Sequence, residues 1–118
     1  MIAFALSLVL AQVPTPAPAP QVARPPDAKE LYVKMKCAFC HGEDGKGDTE
    51  KGRKLRAADF TSAKFQKHTT DKEMVDAITN GIKNKKGAVL MPAFKSKLTP
   101  EEVQALVAYV RAFGAAAK

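Results

Sequence analysis

Apolar and polar positions alternate with helical spacing in three separate stretches of the chain, and the residues between them follow no period. The first stretch opens at Asp27, with Glu30 three positions on in a capping-box arrangement. Ala28, Leu31, Tyr32 and Met35 then share one helical face, and the pattern predicts a helix that runs directly into Cys37. The second opens at Thr70 with Glu73, carries Met74, Val75, Ala77, Ile78 and Ile82, and is expected to stop at Asn80-Gly81. The third opens at Thr99-Pro100-Glu101-Glu102, an N-cap with proline in the first turn and Glu at N3. Leu98 and Val103 are spaced for a hydrophobic staple. Val103, Leu106, Val107, Val110 and Phe113 make its stripe, and Gly114 is expected to end it. Such stripes pack helix on helix around a common centre. No strand pattern of useful length and no internal repeat is found. Residues 42–69 are polar and glycine-punctuated and read as one long loop. A loop of that length in a small domain needs a purpose, and wrapping the edge of a cofactor is one.

The N-terminal residues have a different pattern. Ile2 to Ala11 is an almost wholly apolar run, too short to span a bilayer, which takes about 20 residues. It suits the core of an export signal, with Val9-x-Ala11 as the cleavage site, although no Lys or Arg precedes it. No cysteine follows the run to take a lipid anchor. Pro14 to Pro26 holds six of the eight prolines and is expected to be an extended, solvated tether. The expected organisation is therefore a signal at 1–11, a Pro/Ala-rich tether at 12–26 and one folded domain at 27–118. The location implied is the periplasm, free or at the outer face of the inner membrane. A domain this small has a marginal core, which a buried apolar cofactor would enlarge.

The formal net charge is +7 and the sequence pI about 9.5. A basic surface favours acidic partners. Nucleic acid is disfavoured, because no aromatic residues interleave with the lysines and because export removes the chain from it.

Cys37-Ala38-Phe39-Cys40-His41 carries the chemistry, and its two cysteines are the only ones in the chain. Two thiols three positions apart can each add to a vinyl group of one haem, and the adjoining histidine then serves as proximal iron ligand. A zinc site from Cys37, Cys40, His41 and His68 fits poorly, because adjacent Cys40 and His41 are awkward in one tetrahedron and no second ligand pair is present. A thioredoxin-like dithiol would need a strand before Cys37, where the sequence gives a capped helix. For the sixth iron position the candidates are Met35, Met74, Met91, His68 and the lysines. Met35 is too close to Cys37 to reach the opposite face, and Met74 falls on an apolar helix stripe. His68 stands in polar surroundings and reads as a surface residue. Met91 lies 50 positions after His41 in a strap between helices, and Pro92 denies it the helical conformation. Met91 is thus the expected distal ligand. The other ring nitrogen of His41 should donate to a backbone carbonyl that the sequence does not name.

Taken together, residues 27–113 resemble the class I c-type cytochromes, the small bacterial monohaem kind. The resemblance rests on Leu31-Tyr32 before Cys37-Ala38-Phe39-Cys40-His41-Gly42, on Ile78-x-Asn80-Gly81-Ile82, on Met91-Pro92-Ala93-Phe94, and on Leu98-Thr99-Pro100-Glu101-Glu102 with Tyr109-Val110-Arg111. It implies an all-α fold of three main helices, the N- and C-terminal ones crossing, wrapped around one covalently bound haem c with an exposed edge. It carries over Cys37 and Cys40 as thioether attachments, His41 as proximal ligand and Met91 as distal ligand. Two departures stand out. Ala28 occupies a place where the family often has glycine. No proline follows the Cys-x-x-Cys-His run, where many members have one whose carbonyl receives the histidine N–H.

His/Met ligation fills both axial positions, so the expected role is single-electron transfer without bond chemistry, and not an enzyme. The expected protein is a monomeric carrier between redox partners. The alternative is a haem subunit of a larger oxidoreductase. A ligand-binding enzyme or sensor is disfavoured by the Met91 strap. Residues 83–97 contain Lys83, Lys85, Lys86, Lys95 and Lys97 and no acidic residue, a rim suited to an acidic redox partner. Arg53, Lys54 and Arg56 are candidates for the haem propionates by position alone.

Overall fold

The computed structural model describes residues 9–15 and 26–116. The expected signal lies mostly, and the tether largely, outside the described residues. The described fold is helical with one short strand pair, in the order α1 (Ala28–Lys34), α2 (Cys37–His41), α3 (Glu50–Leu55), α4 (Ala63–His68), α5 (Asp71–Asn80), β1 (Ile82–Lys83), β2 (Val89–Met91) and α6 (Pro100–Ala116).

The three expected helices form where their caps place them. The Asp27 carboxylate accepts from the backbone N–H groups of Lys29 and Glu30. The Thr70 hydroxyl accepts from Glu73 N–H. At α6 the capping box closes both ways: Glu102 N–H donates to Thr99 Oγ1 (3.2 Å) and Thr99 N–H to Glu102 Oε1 (3.0 Å). Leu98 and Val103 are both buried, as a staple requires. The α6 stripe then forms the centre of the core: Leu106, Val107 and Val110 are buried with Leu31 and Tyr32 of α1, Met74 and Ile78 of α5, and Phe60 and Phe94. Each such side chain contributes about 1.5–3 kcal/mol on full burial. α1 and α5 both pack against α6, which is the frame of the molecule.

Four expectations are corrected. First, α1 does not run into Cys37. It ends at Lys34, Lys36 takes a left-handed conformation (φ 62°), and α2 begins afresh. A left-handed non-glycine residue costs about 1–2 kcal/mol. Packing of α1 on α6 and of α2 on α3 offsets it. Second, residues 42–69 are not one loop. Thr49 Oγ1 caps α3 by accepting from Gly52 N–H, and Ser62 Oγ caps α4 by accepting from Phe65 N–H. Each helix has six residues, too few for a periodic stripe. Third, β1 and β2 pair antiparallel with a bulge, across a turn in which the Asn84 side chain accepts from the N–H groups of Lys86 and Ala88. Fourth, Gly114 does not end α6. The helix continues to Ala116, and Gly114 instead makes room for the side chain of Gln66, whose Cγ would stand 2.5 Å from a Cβ at that position.

Candidate functional site

The α2 turn presents Cys40 and His41 to a cavity of about 310 Å³, and Met91 reaches the same cavity from β2. Its remaining wall is mostly apolar and comes from residues 55–60, α4, α5, the strand pair and α6, chiefly through Ala58, Phe60, Phe65, Met74, Ile78 and Val110. Cys37 lines a small adjoining cavity that also touches His41 and Met91. The fold thus brings Cys37, Cys40, His41 and Met91 to one place, although Met91 is 50 residues from His41 in the chain.

The α2 turn is held from several sides. The Thr49 hydroxyl donates to the carbonyls of Phe39 and Cys40 (2.9 and 2.8 Å) and accepts from Gly52 N–H (2.8 Å). Gly52 has no side chain because the Cys40 carbonyl occupies the space where one would go. The buried Tyr32 phenol donates to the Gly42 carbonyl at 2.6 Å, just after His41. Burial raises the Tyr32 pKa, so the phenol keeps the proton it donates.

His41 is oriented by Ala58, whose carbonyl lies 3.2 Å from Nδ1. A carbonyl only accepts, so Nδ1 carries the proton and Nε2 keeps its lone pair. Ala58 is the acceptor that the sequence could not name. A backbone carbonyl leaves no mark on residue identity, so only the fold reveals it. The Phe60 ring stacks on the imidazole, with centroids 4.3 Å apart and planes 19° from parallel. Burial lowers the His41 pKa, and the bond to Ala58 opposes this in part. The net effect is a neutral ring, the form that binds a metal. Burial pushes the Cys37 thiol up to about 11, with the neighbouring Cys40 adding to the shift and the backbone N–H opposing it.

Met91 sits where the strap meets α5. Ile82 pairs with Met91 across the strands. Gly81, at φ 74°, packs on the Met91 carbonyl, which would stand 2.5 Å from a Cβ there. Beyond Met91, Phe94 N–H donates to Ile78 O and Lys95 N–H to Thr79 O.

The other candidates separate clearly. His68 is exposed at the end of α4 and does not line the cavity. Met74 is buried in the core, as its helix stripe implies, and also forms part of the cavity wall. Arg53 and Lys54 turn outward to Asp48 and Glu50. Arg56 alone of the three lines the cavity. Lys83, Lys85, Lys86, Lys95 and Lys97 are all exposed. Among the described residues no cluster of His, Cys, Asp and Glu is arranged to hold a bare metal ion.

An apolar chamber with two thiols and a neutral imidazole on one turn and a thioether on a facing strap fits a haem. No buried polar side-chain atom among the described residues is left without a partner. Fold and site together define a small monohaem c-type cytochrome. A family model described as cytochrome c oxidase, cbb3-type, subunit III, matches residues 23–110, and the chain belongs to that family. It is 38% identical over 78 residues to the cbb3-type cytochrome c oxidase subunit FixP of Azorhizobium caulinodans, a match spanning 66% of this chain and 24% of that protein. It is 36% identical over 74 residues to cytochrome c6 of Bryopsis maxima, covering 63% of this chain and 75% of the relative. Among solved structures it is similar to the KustC0563 c-type cytochrome, at 41% identity and a TM-score of 0.63, over 74% of this chain and 96% of that one. Membership implies covalently bound haem c and a part in electron transfer.

Proposed function

We propose that the protein carries single electrons between redox partners, with Cys37 and Cys40 as thioether attachments and His41 and Met91 as the axial ligands. The supporting observation is that a neutral, oriented imidazole and a thioether from distant parts of the chain line one apolar cavity. Bound haem supplies a one-electron Fe(II)/Fe(III) couple. The protein's own residues do the rest. Ala58 fixes the His41 ring through Nδ1 and raises its basicity at Nε2. Met91 would supply a soft thioether that favours the ferrous state of a bound haem and, with His41, would leave no position for oxygen or peroxide. This is a carrier and not an enzyme. The apolar wall of Phe65, Met74, Ile78 and Val110 keeps water from the centre. Arg56, which lines the cavity, is the candidate to meet a haem propionate.

The chain is read as exported to the periplasm, with residues 1–11 as signal and 12–26 as tether, and monomeric. No helix among the described residues is long and apolar enough to cross a membrane. Its partners are acidic redox proteins that meet the Lys83, Lys85, Lys86, Lys95 and Lys97 rim. A second reading, a haem-bearing electron-transfer subunit of a larger oxidoreductase, is supported by the cbb3-type relatives, of which the chain spans about a quarter.

The test is an absorption spectrum of wild type and Met91→Ala, both produced with a c-type maturation system. Wild type should carry covalent haem with the ferric band of thioether ligation. Met91→Ala should keep the haem and lose the band. An unchanged band would remove Met91 from the site, and absence of covalent haem would remove the cysteines.

A further inference from the structure

We infer that Gln66, clamped by Arg111, is a positioning residue for the His41 ring, acting through the segment 58–60. The inference rests on His41 as a haem ligand. The 58–60 segment makes both contacts to the imidazole, through the Ala58 carbonyl and the Phe60 ring. It lies in none of the helices or strands, so something outside it must hold it still. Its own backbone supplies two ties, Phe60 N–H to Gly45 O at 2.7 Å and Ser62 N–H to Asp59 O at 3.2 Å. A side-chain tie comes from Gln66, whose Nε2 donates to Phe60 O (2.7 Å) and to Val110 O of α6 (3.0 Å).

The Gln66 amide has no freedom to turn over. Its Oε1 accepts from Arg111 Nη1 at 2.9 Å, and a guanidinium only donates. Its Nε2 faces two carbonyls, which only accept. Arg111 is itself fixed by the carbonyls of Gln66 (2.8 Å) and Thr69 (2.7 Å); its ion pair with the exposed Asp71 carboxylate is screened by solvent and adds little. The Gln66 side chain lies against Gly114, where any Cβ would displace it. A charge on α6 therefore sets the direction of an amide on α4, the amide sets a carbonyl beside the cavity, and that segment sets the imidazole. The planar fork of Arg111 is required, because a lysine ammonium cannot make these bonds together.

The test compares four haem-loaded proteins: wild type, Gln66→Glu, Gly114→Ala and Asp71→Asn. Gln66→Glu keeps the side-chain volume and turns both donors into acceptors facing carbonyls. Gly114→Ala moves Gln66 without altering it, and serves if Gln66→Glu fails to load haem. Asp71→Asn removes the exposed ion pair but leaves the Arg111 to Gln66 bond in place. Two quantities are read well below the melting temperature: exchange of the His41 Nδ1–H proton with solvent in the reduced protein, and the reduction potential. In Gln66→Glu and Gly114→Ala exchange should speed up about tenfold, as expected when hydrogen bonds that close a segment are lost. Loosening also admits water beside the ligand and favours the ferric state. The equilibrium constant for reduction should fall about threefold, or about 28 mV for one electron. Asp71→Asn should match wild type in both. The inference is overturned if both Gln66→Glu and Gly114→Ala match wild type, or if Asp71→Asn shifts as they do, which would indicate general loosening. A wild type without a slowly exchanging His41 Nδ1–H would instead overturn the assignment of His41 itself.

Discussion

The two sides of the cavity are built by different means. On the His41 side, side chains hold the backbone: Thr49 bonds the carbonyls of α2, Tyr32 the carbonyl of Gly42, and Gln66 that of Phe60. On the Met91 side, backbone holds backbone, apart from the Asn84 side chain in the hairpin turn. The β1–β2 pairing and the bonds from Phe94 and Lys95 to the α5 carbonyls fix the strap, and its side chains from Lys83 to Val89 all face solvent. The difference has a consequence for sequence tolerance. Residue identity matters on the first side because each bond needs a particular side chain. On the second side the strap keeps its shape as long as Asn84 and Gly87 hold its turn, so its other outer residues are free to suit a partner.

The sharpest test of this contrast uses glycine on each side. Gly52→Ala places a methyl against the Cys40 carbonyl and 2.5 Å from Gly47 O, both backbone atoms that cannot swing away. α3 must separate from α2, which costs about 1–3 kcal/mol for overpacking and strains the Thr49 bonds as well. Gly87→Ala on the hairpin meets nothing within 4 Å and suffers only its left-handed backbone, φ 83°. That costs about 1–2 kcal/mol. Denaturation midpoints and the yield of covalently loaded protein should both fall further for Gly52→Ala. Equal losses would show that the two walls are not held differently.

Tyr32→Phe is expected to have an intermediate effect. It removes the phenol donor to Gly42 O but keeps the ring packed on Tyr109 and Phe113, 5.1 and 5.7 Å away. Gly42 O retains a longer bond from Gly45 N–H at 3.2 Å, so the carbonyl is not orphaned. The loss should be about 1 kcal/mol in unfolding free energy, read from the denaturant midpoint. A loss above that of Gly52→Ala would place the main constraint on α2 at Tyr32 instead of α3.

The same contrast explains what could be read in the sequence. The caps at Asp27, Thr70 and Thr99 are local signals followed by long apolar stripes, and all three helices appear where they point. Thr49 and Ser62 cap α3 and α4 by the same chemistry, but a six-residue helix has no stripe to confirm the cap. Gly114 reads as a helix stop because glycine often is one; its actual role, making room for Gln66, depends on a residue 48 positions away. The Arg111 clamp escapes for the same reason. Arg111 bonds Gln66, Thr69 and Asp71 across a separation of 40 to 45 residues, and no local pattern links them. The Cys-x-x-Cys-His run and Met91-Pro92 stand out in the sequence because the attachment and ligation proposed for them depend on residue type. The Ala58 acceptor does not, because every residue has a carbonyl.

The smallest structural effect and a large kinetic one should come together at the hairpin. Lys85 and Lys86 sit in its turn, exposed and without an ion pair among the described residues, while the turn is shaped by the Asn84 side chain and by Gly87. Lys85→Glu/Lys86→Glu changes the formal charge of residues 83–97 from +5 to +1. Neither side chain supports the fold, so unfolding free energy should move by no more than about 0.5 kcal/mol. If the proposed docking holds, association with an acidic redox partner depends on the field of the whole rim, which would raise the encounter rate by about tenfold or more at low salt. The double variant should therefore react more slowly at low ionic strength and converge on wild type as salt approaches 1 M, where charges are screened beyond about 3 Å. Equal rates at low salt would move the docking surface elsewhere. A fall in stability together with rate would mean that the lysine side chains also shape the strap, and the contrast between the two walls would not hold.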